Sequence, residues 1–147
     1  LASILKPVPV GKMKIKAIGA FAALVPQSTP QELIRLAATL VENLDAFRAP
    51  LTTDELSRRR QSKLTSRQDA LLQRRGYPYV MDEFRFHLTL SNGLAPQDIA
   101  LLIGSLEQHA PMRDYSYCIE DIAVFGEPAD GGYFRLLKRF PLSGKDV

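Results

Sequence analysis

An α+β fold, a largely antiparallel sheet with helices packed on one face, follows from three features of the sequence. Short stretches alternate apolar and polar residues between clusters of turn residues, as strands joined in hairpins do. Two longer stretches repeat apolar residues at helical spacing. The elements come in the order strand, strand, helix, basic helical segment, strand, helix, strand, strand, and runs of this kind segregate helices to one side of a sheet.

In chain order, residues 1–11 carry Pro7, Pro9 and Gly11 and form an extended lead-in. Lys12 to Ile18 alternates lysine with apolar side chains, which makes it a half-exposed strand. Gly19 punctuates it, and Phe21 to Val25 is a second, more buried strand that Pro26 ends; the two pair as neighbours. Thr29-Pro30-Gln31-Glu32 reads as a helix start, with Thr29 as cap, Pro30 in the first helical position and Glu32 closing a capping box. Leu33, Leu36, Ala37, Leu40, Leu44 and Phe47 then form a core-facing stripe to about Arg48.

The segment 52–76 is a basic helical insertion. Thr52-Thr53-Asp54-Glu55 and Thr65-Ser66-Arg67-Gln68 are two further capping boxes, and Gly76 stops the second helix. Between Arg58 and Arg75, the cations Arg58, Arg59, Arg60, Lys63, Arg67, Arg74 and Arg75 stand against a single acid, Asp69. Such a row is either a solvated helical face or an anion-facing surface, where guanidinium forks hold phosphate oxygens. Tyr79, in the turn Gly76-Tyr77-Pro78-Tyr79, either packs or stacks on a base and donates to a phosphate.

Asp82 to Leu90 is the central strand expected of this chain. Phe84, Phe86, Leu88 and Leu90 alternate with Arg85, His87 and Thr89. One face then meets the core, and the other carries a guanidinium, an imidazole and a hydroxyl about 7 Å apart. Ser91-Asn92-Gly93 turns the chain, and Pro96 opens a helix whose Ile99, Leu102, Ile103 and Leu106 are buried. Tyr115 to Phe125 and Tyr133 to Phe140 are two strands of a hairpin, and the tail from Leu142 is polar and frayed.

With 147 residues, 46% hydrophobic and 24% charged, the chain has the size and composition of a single globular domain, 1–147. No apolar run approaches the roughly 18 residues of a membrane span, so no membrane partner is expected. The lone cysteine, Cys118, rules out an internal disulfide framework and suits a reducing, cytoplasmic location. It alternates with Tyr117 and Ile119 and reads as a small buried hydrophobe rather than a nucleophile. A net charge of +3 and a pI near 9.1 suit a small anionic phosphate substrate or an RNA end. The opening Leu1-Ala2-Ser3-Ile4 has neither a methionine nor a signal peptide, so the domain is expected to be incomplete at its N-terminus.

Of the two histidines, His109 falls in the last turn of a helix, where a cation suits the helix dipole. His87 has polar neighbours on its own strand face. No metal site is expected, because no second histidine or cysteine stands at ligand spacing. A Walker loop, a dinucleotide fingerprint and a serine nucleophile elbow are all missing, and no cofactor is expected. Metal-free acid/base work on a phosphate remains. The imidazole of His87 moves a proton, Thr89 bonds a non-bridging oxygen, and Arg85 offsets charge in the transition state.

Phe86-His87-Leu88-Thr89-Leu90 resembles the His-x-Thr signature of the two-histidine phosphoesterase superfamily. Phe47 to Thr52, Glu55 to Arg60, Leu64 to Gln68, Gly76 to Tyr79, Phe134 to Leu137 and Phe140 to Leu142 resemble one branch of it, encoded beside phosphonate-degradation genes. Arg75 departs from that branch, where a tryptophan is expected. The resemblance implies a bilobal fold of which this chain supplies one lobe and part of the second, each lobe contributing a His-x-Thr strand. It also implies a metal-independent cyclic phosphodiesterase acting on a ribose cyclic phosphate or a 2′,3′-cyclic nucleotide. His87 and Thr89 would be catalytic, with Arg85, Tyr79, Arg58, Arg59 and Arg60 binding substrate. The partner His-x-Thr motif does not occur in this sequence, which leaves open a binder of RNA ends or of a phosphorylated metabolite that does not turn over.

Overall fold

A computed structural model describes residues 1–109, 116–129 and 131–144. Backbone contacts divide the chain into two compact units, Leu1–Ser28 with Leu88–Val147, and Thr29–His87.

The first unit is built on a four-stranded sheet, antiparallel throughout, in the order β3 (Leu88–Thr89), β2 (Phe21–Pro26), β1 (Val8–Ile18), β4 (Ser116–Ile119). Strand β1 (Val8–Ile18) is longer than its lysine alternation predicts. Val8 and Val10 are buried, and this end of the strand pairs with β4 (Ser116–Ile119) through Val8, Pro9, Gly11 and Lys12, with a bulge between Pro9 and Gly11. Gly11 takes a left-handed φ of 80° there, the conformation that a bulge of this kind asks of glycine. Strand β2 (Phe21–Pro26) pairs with β1 from Ile18↔Phe21 to Met13↔Pro26, as expected. Helix α4 (Pro96–His109) packs on β1 and β2, with Ile99 buried and Leu102, Ile103 and Leu106 half-buried. The helix therefore covers a sheet face, and the α+β class holds.

The expected last strand pair splits in two. Chain 116–119 is the outer strand of the main sheet, and Glu120 separates it from a hairpin of β5 (Asp121–Gly126) and β6 (Arg135–Pro141). The expected start at Tyr115 lies outside the described residues. The chain after β6 is not frayed at its beginning. Leu142 is buried and its N–H donates to the Glu120 carbonyl, Ser143 Oγ donates to Ser3 O, and Gly144 N donates to Leu5 O. One apolar side chain in an otherwise polar tail is enough to dock it.

The second unit holds α1 (Gln31–Leu44), α2 (Thr53–Arg60) and α3 (Ser66–Arg75). Of the three expected capping boxes, those of α2 and α3 form. Thr52 Oγ1 accepts from Glu55 N while the Glu55 carboxylate accepts from Thr52 N, and Thr65 and Gln68 repeat the exchange. At α1 the expectation fails: Pro30 itself is the N-cap residue, no side chain caps, and Glu32 pairs with Arg35 instead. The stripe of α1 buries Leu33 and Leu36, but the helix stops at Leu44, and Phe47, in the following 3-10 turn, is 85% exposed. Among the described residues no helix is long and apolar enough to cross a membrane.

Helix α3 ends at Gly76, whose φ of 75° and N–H to Leu72 O (2.9 Å) make a left-handed C-cap. A Cβ built there would lie 2.9 Å from Arg48 Nη1 and 3.0 Å from its Cδ. Gly76→Ala is therefore expected to cost about 1–2 kcal/mol for the backbone alone, with the displacement of Arg48 added. A thermal melt of this variant that overlays the parent would refute the cap.

Candidate functional site

The row Arg85, His87, Thr89 lies in a segment that is only partly a strand. Strand β3 is just Leu88–Thr89, an edge strand paired with Leu24 and Ala23 of β2. Residues 84–87 are not assigned to a strand, and Met81–Glu83 is a 3-10 turn. Two causes shorten the expected strand. Continuing the β3 register would set Phe86 opposite Pro26, which has no N–H to give. In addition, Asp82 and Glu83 are held by α3. Arg67 grips Asp82 with Nε–Oδ2 at 2.9 Å and Nη2–Oδ1 at 2.6 Å, and Gln68 Nε2 donates to Glu83 Oε2 at 2.9 Å. The other end of β3 is closed by Ser91, whose Oγ accepts from Ala22 N in the ladder's place.

The alternation survives without the full strand. Phe84, Phe86 and Leu88 are half-buried, whereas Arg85, His87 and Thr89 are exposed. Leu90, expected on the core side, is exposed as well. The boundary between the two units falls between His87 and Leu88, so His87 belongs to the helical unit and Thr89 to the sheet.

His87 Nδ1 lies 2.8 Å from the Arg85 carbonyl oxygen. A carbonyl only accepts, so Nδ1 carries a proton and, in the neutral ring, Nε2 is the basic nitrogen. The other histidine is tied in a different way. His109 Nδ1 lies 2.8 Å from Ser105 O, within its own helix, as its position at the end of α4 leads one to expect.

The basic insertion divides into engaged and open arginines. Arg60 forms a fork on Asp69, Nε–Oδ1 at 2.7 Å and Nη2–Oδ2 at 3.0 Å. Arg75 and Arg48 share Asp45, at 3.2 and 2.9 Å. These contacts hold the carboxyls below their ordinary range: Asp69 chiefly through the Arg60 hydrogen bond, Asp45 through Arg48, and Asp82 through Arg67. Arg59 is half-buried with its guanidinium 5.2 Å from the Tyr77 ring centroid, and Tyr77 meets Tyr79 edge-on at 5.7 Å. Its Nε is buried without a hydrogen-bond partner among the described residues. Arg58, Lys63, Arg74 and Arg85 are exposed and make no ion pair among the described residues. Besides Asp69, the acids that pair with the insertion's arginines are Asp45 and Asp82, which lie outside it in sequence, so counting charges within the segment misses them.

Cys118 is half-buried in β4, with its Sγ directed at the Ile119 carbonyl at 3.8 Å. Among the described residues no group of three or more histidine, cysteine, aspartate or glutamate side chains is placed to hold a metal ion.

Residues 1–135 match a family model, DUF1045, described as a protein of unknown function. The chain belongs to the DUF1045 family. Two curated proteins resemble this DUF1045 chain, both named ribose 1,5-bisphosphate phosphokinase PhnN. The one from Janthinobacterium sp. (strain Marseille) is 35% identical over 145 residues, which is 95% of this chain and 32% of the relative. That from Laribacter hongkongensis (strain HLHK9) is 33% identical over 121 residues, 82% of this chain and 28% of the relative. The chain thus spans about a third of the length of these relatives. No solved structure matches it.

Proposed function

We propose that this DUF1045 chain is part of a metal-independent phosphodiesterase of the two-histidine kind that opens a cyclic phosphate on ribose. The observation that carries the reading is His87, exposed and held by its Nδ1 on the Arg85 carbonyl, within the sequence Arg85-Phe86-His87-Leu88-Thr89. With Nδ1 protonated, Nε2 is the ring nitrogen that this reading assigns to proton exchange with water or with a leaving oxygen. The Thr89 hydroxyl is a donor for a non-bridging phosphate oxygen, and Arg85 offers charge to the transition state. The second histidine of the reaction comes from outside these residues. One imidazole removes a proton from the attacking water while the other protonates the ribose oxygen that leaves phosphorus, so the ring opens to a phosphomonoester.

The names of the relatives support a ribose phosphate as the substrate class and a place in phosphonate breakdown. Phosphoryl transfer from a nucleotide is not assigned to this region, because it contains no Walker loop. The absence of a second His-x-Thr from the 147 residues favours the alternative, a binder of RNA ends or of a phosphorylated metabolite. The deciding experiment is turnover of 2′,3′-cyclic nucleotides and ribose cyclic phosphates by the full-length protein with a chelator present. Chelator-resistant hydrolysis supports the enzyme; saturable phosphate binding without hydrolysis transfers the reading to the binder.

Arg58 and Arg59 are the substrate-binding arginines of this reading, while Arg60, which belongs to the same row, must leave Asp69 before it can hold a phosphate. Arg58→Ala and Arg59→Ala are each expected to raise KM by on the order of tenfold, the effect of one charge-assisted hydrogen bond, with kcat nearly unchanged. Unchanged KM in both variants would remove the insertion from the site.

A further inference from the structure

We infer that Lys16 and Lys14 of β1, together with Thr89 of β3, form a phosphate-binding site on one face of the sheet. The inference rests on the proposed function only in taking that phosphate to be the substrate's. The strand register places the three residues. Lys16 stands opposite Ala23 of β2, and Ala23 stands opposite Thr89. Residues directly opposite in an antiparallel ladder share a face, so Lys16 and Thr89 lie on the same side of the sheet. Two strand spacings, about 10 Å, separate their backbones. Lys14, opposite Val25, is one row along on that face, about 7 Å from Lys16. The intervening row, Ile15–Leu24–Leu88, is apolar and buried or half-buried, so the core lies on the other face.

Lys14, Lys16 and Thr89 are all exposed, whereas Ala23, between Lys16 and Thr89, is fully buried. The lysine and the threonine are therefore the polar groups that this row offers to a ligand. A phosphate between them comes within reach of an ammonium on a four-carbon stem from one side and of a hydroxyl from the other.

The strand itself gives no reason for the lysines. Lysine is depleted in strands, and two like charges so close on one face repel. Sheets accommodate such cations with acids across the ladder, as the β5–β6 hairpin does, where Arg139 holds Asp121 at 2.7 Å. On β1 the cross-strand neighbours of Lys14 and Lys16 are Val25 and Ala23, and neither lysine makes an ion pair among the described residues. A bound anion supplies the missing charge.

The test follows binding of inorganic phosphate to the full-length protein by phosphorus NMR at low ionic strength, with hydrolysis of 2′,3′-cyclic nucleotides assayed beside it. Lys16→Gln is expected to weaken phosphate binding about tenfold, the effect of one charge-assisted hydrogen bond. Lys16→Arg should restore most of it, and Lys14→Gln should weaken it by less. Thr89→Val should also weaken binding, and combined with Lys16→Gln it should cost less than the product of the two, because both groups hold one anion. Lys6→Gln, which removes the same charge from an exposed lysine outside the row, should leave binding as it is. No phosphate binding by the parent protein, unchanged binding in either lysine-to-glutamine variant of the row, an additive double variant, or an equal loss in Lys6→Gln would each overturn the inference. Site and chemistry fail separately. Lysine-dependent phosphate binding without hydrolysis keeps the site and removes the phosphodiesterase; hydrolysis with binding indifferent to the lysines does the reverse.

Discussion

His87→Ala in the full-length protein is expected to lower hydrolysis of a cyclic phosphate by about 10²–10⁴-fold, the usual worth of a positioned general acid or base. The melting temperature should stay where it is. His87 is exposed, so its truncation opens no cavity in the core. His87→Asn sharpens the test. An asparagine amide can donate to Arg85 O roughly where Nδ1 does, but it has no nitrogen that accepts a proton near neutral pH. The asparagine variant should therefore keep the local geometry and still lose turnover. Full activity in either variant would remove His87 from the chemistry, and a large fall in melting temperature would make it a packing residue.

Leu72→Ala is expected to be the most damaging truncation in the helical unit, at about 2–5 kcal/mol. Leu72 is 0% exposed and has the largest fully buried side chain of the described residues. Its truncation removes apolar contact and leaves a cavity that its neighbours fill only in part. The unit has few substitutes, since Leu33, Leu36 and Leu71 are the other hydrophobic core residues described in it. Phe47→Ala removes a larger side chain, yet should shift stability by no more than about 0.5 kcal/mol, as surface substitutions do. Chemical denaturation of the two variants gives the comparison directly. Equal losses would mean that the α1 stripe is packed as far as Phe47 after all.

The fold is legible in the sequence where its causes are local. The capping boxes at Thr52 and Thr65 need only residues three apart, and both form. The exposure of Arg85, His87 and Thr89 follows the apolar/polar alternation of their own short stretch, and it persists where the strand does not. Features set by distant residues are not legible in this way. Asp82 and Glu83 leave the expected strand because Arg67 and Gln68, fifteen positions earlier, hold them. The charge of Arg75 is offset by Asp45, thirty positions away. The exposure of Phe125, Leu136 and Leu137 on the β5–β6 hairpin also escapes notice, because an apolar strand has the same sequence whether or not anything covers it.

The docking of Ser143 on Ser3 and of Gly144 on Leu5 ties together residues about 140 positions apart. β1, at the centre of the sheet, has one neighbour from residues 21–26 and another from residues 116–119. The sheet is therefore a late product of synthesis, because its last strand leaves the ribosome long after its first two. Non-local pairing of this kind also folds slowly. The helical unit is a single run, Thr29–His87, complete while the remaining strands are still being made. During that interval β1 and β2 form an unfinished ribbon, and the nascent chain is most exposed to mispairing along the side of β1 that β4 has yet to reach.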